Sequence, residues 1–253
     1  MIVKLPTSGG ECELLVVNES RSRASNQLPE LGALICYGAP AAARVTGVEA
    51  DYFLEEQVKR LSSSADVLAA VLVPSGVGNS GGTFSPLRWR QDMANAVEYL
   101  TAEVGVPKIC LVGYELASLQ ALSLGPDLDK VAGVATISTV ATLPPYGLSS
   151  ESLAEQMRSL GVAVASSQES VAAWSGEFAV LDPARTAPRL GRKPWLVLHG
   201  QDDQAIPEAR VRQLLEEVAG IGELHLVNAG GESLRADPRV LSLLVGWLDR
   251  IRR

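Results

Sequence analysis

The amino-acid sequence predicts an α/β fold built on a mainly parallel central sheet. Three observations lead there. Short apolar runs of strand length alternate with helix-period patterns along nearly all of the chain, the order that layered α/β proteins require. Most of the runs are continuously hydrophobic, as strands covered on both faces must be. At 253 residues the chain can also bury a sizeable core, and residues 1–253 read as a single domain.

The strand candidates, in order, are Cys12–Val17, Gly32–Tyr37, Val67–Val73, Lys108–Val112, Val131–Ser138, Trp195–His199 and Glu223–Val227. Between them, Phe53, Leu54, Val58 and Leu61 recur at helical spacing, and Trp89, Met93, Val97 and Leu100 do so ahead of Gly105. Pro207 stands at a helix start, Val211, Leu214, Leu215 and Val218 form that helix's apolar stripe, and Gly220 stops it. The last helix takes Asp237 as its cap and Pro238 as its first residue, then presents Leu241, Leu244, Val245 and Leu248. Trp89 and Trp247 lie on helix stripes and are expected in the core.

One segment departs from the alternation. From about Thr142 to Pro188 Ser and Ala are frequent, with one helix marked by Leu153, Met157 and Leu160 and ended by Gly161, and a weaker helical stretch over Glu169–Trp174. An insertion at about 142–188 between two core strands is expected to form a small helical lid.

Composition narrows the function. The net charge of −7, without any Lys/Arg block, argues against nucleic acid, an anionic membrane surface or a high-affinity anionic partner. No apolar run reaches the roughly 18 residues of a membrane span. The first twenty residues lack a signal-peptide layout, so a cytoplasmic location is expected. Cys12, Cys36 and Cys110 are scattered and odd in number, and the latter two sit in strand-like runs, which suits buried thiols. With two histidines in all, a histidine-based zinc site is not expected, and no metal or cofactor is implied.

Four segments carry chemistry. Lys108–Leu124 reads as a strand, then Gly113-Tyr114-Glu115-Leu116-Ala117, then a helix; small residues at 113 and 117 suit a turn where strand and helix backbones nearly touch. Trp195–Pro207 ends a strand at His199-Gly200 and continues Gln201-Asp202-Asp203-Gln204-Ala205-Ile206-Pro207. Pro74–Gly82 is a Gly- and Ser-rich loop before a helix, and Leu34–Ala39 ends a strand at Tyr37-Gly38.

Together these resemble the α/β-hydrolase superfamily, in its serine aminopeptidase/esterase-like branch, from Gly32 to the last helix and in the family's order. The first segment resembles its G-x-S-x-G nucleophile elbow, with Glu115 where serine belongs. The second is similar to its acid loop H-G-x-x-D-x-x-V-P, which matches Asp203 to the triad acid. The third resembles its D-x-R-G-x-G-x-S loop, with Val73 and Ser75 for Asp and Arg, and the fourth its HG loop, with Tyr37 for His. The family's histidine lands on Glu232, or on Gly231 if the register slips by one. The resemblance implies an α/β-hydrolase fold and a site of Glu115, Asp203 and Glu232, with backbone N–H groups of Ala39 and Leu116 as the oxyanion hole. Tyr37, Tyr114, Tyr146, Met157 and Trp174 are candidate pocket-lining residues, with Phe178 beside them; the alternative is that those of the 142–188 segment only seat it on the core. His199 is expected to buttress the acid loop, and His225 to lie within its strand.

Serine hydrolysis requires a hydroxyl and an imidazole, and neither stands at these positions. A carboxylate with its ordinary pKa of about 4.3 is a feeble base. Three clustered carboxylates should retain at least one proton near neutrality, and a shared-proton Glu115–Glu232 pair would offer an acid and a base. Alternatively, the Glu115 carboxylate folds back onto the Leu116 and Ala39 N–H groups and plugs the oxyanion hole. Three readings follow. One is a non-catalytic pseudo-hydrolase binding a small molecule or a protein partner. Another is a non-serine enzyme, whether hydrolase, lyase or isomerase, using the carboxylates. The third is a hydrolase with a relocated nucleophile at Ser118, Ser75 or Ser80.

Overall fold

Eight strands form one sheet: β1 (Ile2–Thr7), β2 (Gly10–Val17), β3 (Leu31–Cys36), β4 (Leu68–Val73), β5 (Lys108–Tyr114), β6 (Val131–Ile137), β7 (Trp195–Gly200) and β8 (Gly222–Val227). The computed structural model describes residues 1–20, 27–38 and 48–253, with the side chains of residues 48–54 and of Glu232 outside the description. The strand order is β1-β2-β4-β3-β5-β6-β7-β8. β1 and β2 form an antiparallel hairpin, β2 lies antiparallel on β4, and every pairing from β4 to β8 is parallel.

The sheet is mainly parallel and flanked by helices, and the one strand the sequence reading missed is β1. Only Leu5 of its six residues is buried, and Pro6 sits within it. Proline is tolerated there because β1 is an edge strand. A strand with so little inward surface carries almost no hydrophobic signal.

Side chains alternate cleanly to two apolar layers. Ala33, Ile35, Ala69, Val71, Cys110 and Val112 face helices α1 (Val48–Ala65) and α9 (Pro238–Arg252), meeting Val58, Leu61, Val240, Leu244, Trp247 and Leu248. Leu34, Cys36, Ala70, Leu72 and Leu111 face the other way, toward α2 (Pro86–Glu98), α3 (Ala117–Leu124) and α8 (Glu208–Glu217), with Trp89, Met93, Leu119, Val211 and Leu214 in that layer. Trp89 and Trp247 are each 1% exposed, as their stripes predict. All three thiols are buried, which pushes Cys12 up to about 11 and Cys36 up to about 12.

Helix ends follow from local chemistry. Asp237 accepts the Arg239 N–H at 2.8 Å and Pro238 opens α9. Ser85 caps α2 by accepting the Arg88 N–H at 3.2 Å. A residue far along the chain completes that cap: Glu177 accepts from the Ser85 hydroxyl at 2.7 Å and the Leu87 N–H at 3.0 Å. Its negative charge sits at the positive end of α2.

Glu177 belongs to the segment joining β6 to β7, which holds α4 (Ser150–Ser159), α5 (Gln168–Ala172), α6 (Trp174–Val180) and α7 (Pro183–Thr186). The helix marked by Leu153 and Met157 is α4, and the weaker stretch is divided into α5 and α6. Main-chain bonds from Ala163 N–H to Gly76 O and from Phe84 N–H to Ala163 O, both 2.8 Å, clasp this segment to the loop after β4. Phe84 is packed edge-on by Trp89 and Trp174, each at a centroid distance of 4.7 Å. Beneath that loop Asp92, 1% exposed, accepts the Ser75 N–H at 2.8 Å. Among the described residues no helix is long and apolar enough to cross a membrane.

Candidate functional site at the carboxyl end of the sheet

β5 runs into α3 through one sharp turn centred on Glu115, whose φ of 50° places it in the left-handed region. For a side-chain-bearing residue that conformation costs about 1–3 kcal/mol. The Glu115 N–H donates to Ile137 O and the Ser118 N–H to Glu115 O, both at 2.9 Å. The close approach behind the turn explains Gly113: a Cβ there would lie 2.4 Å from Ala117 O.

The Glu115 carboxylate is engaged by Arg235, with Nη2 to Oε1 at 2.9 Å and Nε to Oε1 at 3.2 Å. Their side chains are 21% and 11% exposed, so this charge-assisted pair is largely shielded from water. Arg235 closes a 3₁₀ turn at Gly231–Arg235, after β8. It was absent from the sequence reading. The signal that pointed to it was electrostatic: three converging carboxylates call for a cation, and Arg235 is three residues beyond Glu232. The Arg235 guanidinium gives the Glu115 carboxylate an opposite charge that the argument from the carboxylates alone did not include.

The elbow amide, the Leu116 N–H, has a phenol beside it. Tyr146 brings its hydroxyl there from the β6–β7 segment, and the Leu116 N–H faces it. Burial raises the Tyr146 phenol well above its ordinary pKa; Glu115 and Asp203 push the same way, while Arg235 and the Leu116 N–H oppose. Tyr146 therefore sits among Glu115, Asp203, Arg235 and Leu116, and it stays protonated at neutral pH. Ala39, the other expected oxyanion-hole residue, lies outside the described residues.

Asp203 is 6% exposed and accepts three hydrogen bonds. Its Oδ1 accepts the N–H groups of Ala205 at 3.0 Å and Ile206 at 2.9 Å, and its Oδ2 accepts the Ser138 hydroxyl at 2.7 Å. Asp202 is exposed. Ser138, at the end of β6 with φ 51°, was also missed by the sequence reading, because a serine after a strand has no distinguishing pattern. Gly231 packs directly on this pair: a Cβ there would lie 2.3 Å from Asp203 Oδ2 and 2.7 Å from Ser138 Oγ. The backbone of the turn therefore fills the space beside the carboxylate. Glu232 follows within the turn, with its side chain outside the description.

Neither histidine stands at the elbow. His199 is fully buried beside the acid loop: its Nε2 donates to Ile206 O at 2.8 Å and lies 3.9 Å from Asp203 Oδ2. His225 pairs with Glu223 at 2.7 Å on the outer strand β8.

The remaining expected residues divide into two groups. Tyr37 and Tyr114 stack at 4.6 Å and, with Gln57, Arg235 and Asp237, line a cavity of about 20 Å³ on the α1–α9 side of the sheet. That volume suits one water molecule. Burial pushes the Tyr37 hydroxyl up to about 12, with Arg235 opposing. Met157 and Trp174, each 1% exposed, are packed into the apolar layer with α2 and α3. Ser118 and Ser75 are fully buried and Ser80 is 7% exposed. Ser118 accepts the Val140 N–H at 3.1 Å, and Ser80 donates to Val73 O at 2.6 Å while accepting the Glu13 N–H at 3.0 Å.

The overall fold recurs in solved structures. An esterase from Thermogutta terrifontis matches with a TM-score of 0.67 and 19% identity over all of both chains. An esterase from Pyrococcus furiosus matches with a TM-score of 0.72 and 13% identity, over 100% of this chain and 91% of that one. An alpha-beta serine hydrolase homologue from Coxiella burnetii matches with a TM-score of 0.64 and 14% identity, over 99% of this chain and 96% of that one. The chain has the α/β-hydrolase fold. No protein-family model matches it, and no curated protein sequence does. At such identities the likeness carries the architecture, and the chemistry must be argued from the residues.

Proposed function

We propose that this α/β-hydrolase-fold protein is catalytically silent and binds a small polar molecule at the carboxyl end of its sheet. The observation that carries the reading is the Glu115–Arg235 ion pair at the elbow. Acyl transfer needs a nucleophile whose proton is taken up and then delivered to the leaving group. The elbow offers a carboxylate held by a guanidinium, and the chain's two histidines are committed to Ile206 and Glu223. Asp203 accepts hydrogen bonds from Ser138 and two backbone amides, which hold it in place. What remains are recognition groups: a protonated phenol, a guanidinium and two carboxylates.

Hydrolysis of p-nitrophenyl acetate and butyrate tests this, together with labelling by a fluorophosphonate. No turnover above the protein-free rate and no labelled serine are expected. Labelling abolished by a single Ser→Ala substitution would overturn the proposal.

One observation favours a second reading. Glu115 keeps the costly left-handed turn and remains 21% exposed, so it is presented as a nucleophile would be. A carboxylate enzyme would reveal itself by attack of Glu115 on an alkyl epoxide, opening the ring to give a hydroxyalkyl ester. Intact-mass measurement after incubation is expected to show no adduct. An adduct that disappears in Glu115→Gln would establish the second reading.

A further inference from the structure

The sequence contains no Lys/Arg block, yet the fold assembles one. Lys108 is the first residue of β5, Lys130 immediately precedes β6, and Lys193 lies two residues before β7. All three therefore lie at the amino end of the parallel strands, opposite the elbow. Lys193 donates to Gly125 O and Leu128 O, and Lys108 to Asp129 O, each at 2.8 Å, so both ammonium groups are drawn to the 125–130 loop. Arg90 from α2 and Arg189 from the 3₁₀ turn after α7 both bind the Asp127 carboxylate in that loop. Arg185 stands four residues before Arg189 on the same helical run, and Arg192 follows just after it.

Seven cations thus lie in these segments with three carboxylates, those of Asp127, Asp129 and Asp182, in a chain whose net charge is −7. Arg185 is 80% and Arg189 53% exposed, and Lys108, Lys130 and Arg192 are exposed as well. Asp127 pairs with Arg90 and Arg189, and Asp182 with Arg185, so the charge is partly offset and an excess of four positive charges is left on this face.

We propose that this amino-end face docks an acidic segment of a partner protein. Guanidinium groups suit carboxylates because the planar fork matches two oxygens at once, and Asp127 between Arg90 and Arg189 displays that match within the chain. The size of the patch selects the occupant. It is confined to the corner formed by Arg90, Lys108 and residues 125–130 and 183–193, while the rest of the chain is more acidic than the whole. A long nucleic acid or a flat anionic membrane would overrun the patch and meet that acidic surface, whereas a short acidic peptide would not.

Fluorescence anisotropy with a labelled octaglutamate peptide at low ionic strength tests the surface. Saturable binding is expected, weakened by added salt and reduced about ten-fold or more by the triple substitution Arg185→Glu, Arg189→Glu and Arg192→Glu. Arg60→Glu, on the exposed side of α1, should leave it unchanged. The proposal fails if no saturable binding occurs, or if the triple variant binds as the parent does. It fails equally if a DNA duplex or phosphatidylserine vesicles bind more tightly than the peptide and lose that binding in the triple variant.

Discussion

The Asp92 carboxyl shows how one buried group couples stability to pH. Burial pushes its pKa up, and hydrogen bonds from Ser75 and Cys12 pull against that rise. The folded chain therefore holds this proton to higher pH than the unfolded chain. Its contribution to stability is complete below the ordinary carboxylate range and is lost as pH rises through the folded value. Asparagine keeps an acceptor for the Ser75 N–H and never ionises. Asp92→Asn is expected to gain stability relative to the parent between about pH 4 and about pH 8, read by urea unfolding at both; a difference independent of pH would sink the argument. Gly231→Ala acts through sterics, because its new methyl meets an Asp203 carboxylate held by three hydrogen bonds. A loss of about 1–3 kcal/mol is expected, and an unchanged denaturation midpoint would show that the turn can yield. At this scale Glu115 and Asp203 were legible, since a strand, a tight turn and a helix fix their places. Arg235 and Ser138 were not, because their roles arise only when β5, β6 and the turn after β8 converge.

At the scale of elements, α2 depends on a cap that local sequence only half supplies. Ser85 is visible as an N-cap before Pro86, but Glu177 reaches the same helix end from more than ninety residues away along the chain. Glu177→Ala is expected to lower stability by about 1 kcal/mol, measured by thermal unfolding, whereas the neighbouring exposed Ser175→Ala should change it by less than about 0.5 kcal/mol. Equal effects would mean that the cap contributes nothing. The inner strands could be read from apolar runs because both faces of the sheet are covered there, and the edge strand β8 could be read because Leu224, Leu226 and Val227 still mark it, although only Val227 is buried. β1 escaped because Lys4 and Pro6 flank its one buried residue, Leu5, and the α5–α6 division escaped because Ser and Ala carry little periodic signal.

For the whole molecule, the two apolar layers share one sheet, so the halves have no route to separate melting. Near- and far-ultraviolet circular dichroism should report coincident unfolding transitions; transitions separated in denaturant concentration would show that the β6–β7 segment melts independently. The sheet also separates two chemistries, with the Glu115–Arg235 pair at its carboxyl end and the basic face at its amino end. Only the first was foreshadowed by motif. The second came from residues scattered between positions 90 and 193, which no linear scan brings together.

The clasp between Ala163, Gly76 and Phe84 has a further implication. Main-chain hydrogen bonds do not depend on which side chain stands at a position, so residue 163 can change without loosening the clasp. The rest of the segment that delivers Tyr146 is seated by particular side chains, with Met157, Trp174 and Phe178 buried in the apolar layer and Glu177 capping α2. Substitutions along it are therefore tolerated at its exposed positions and resisted at these four.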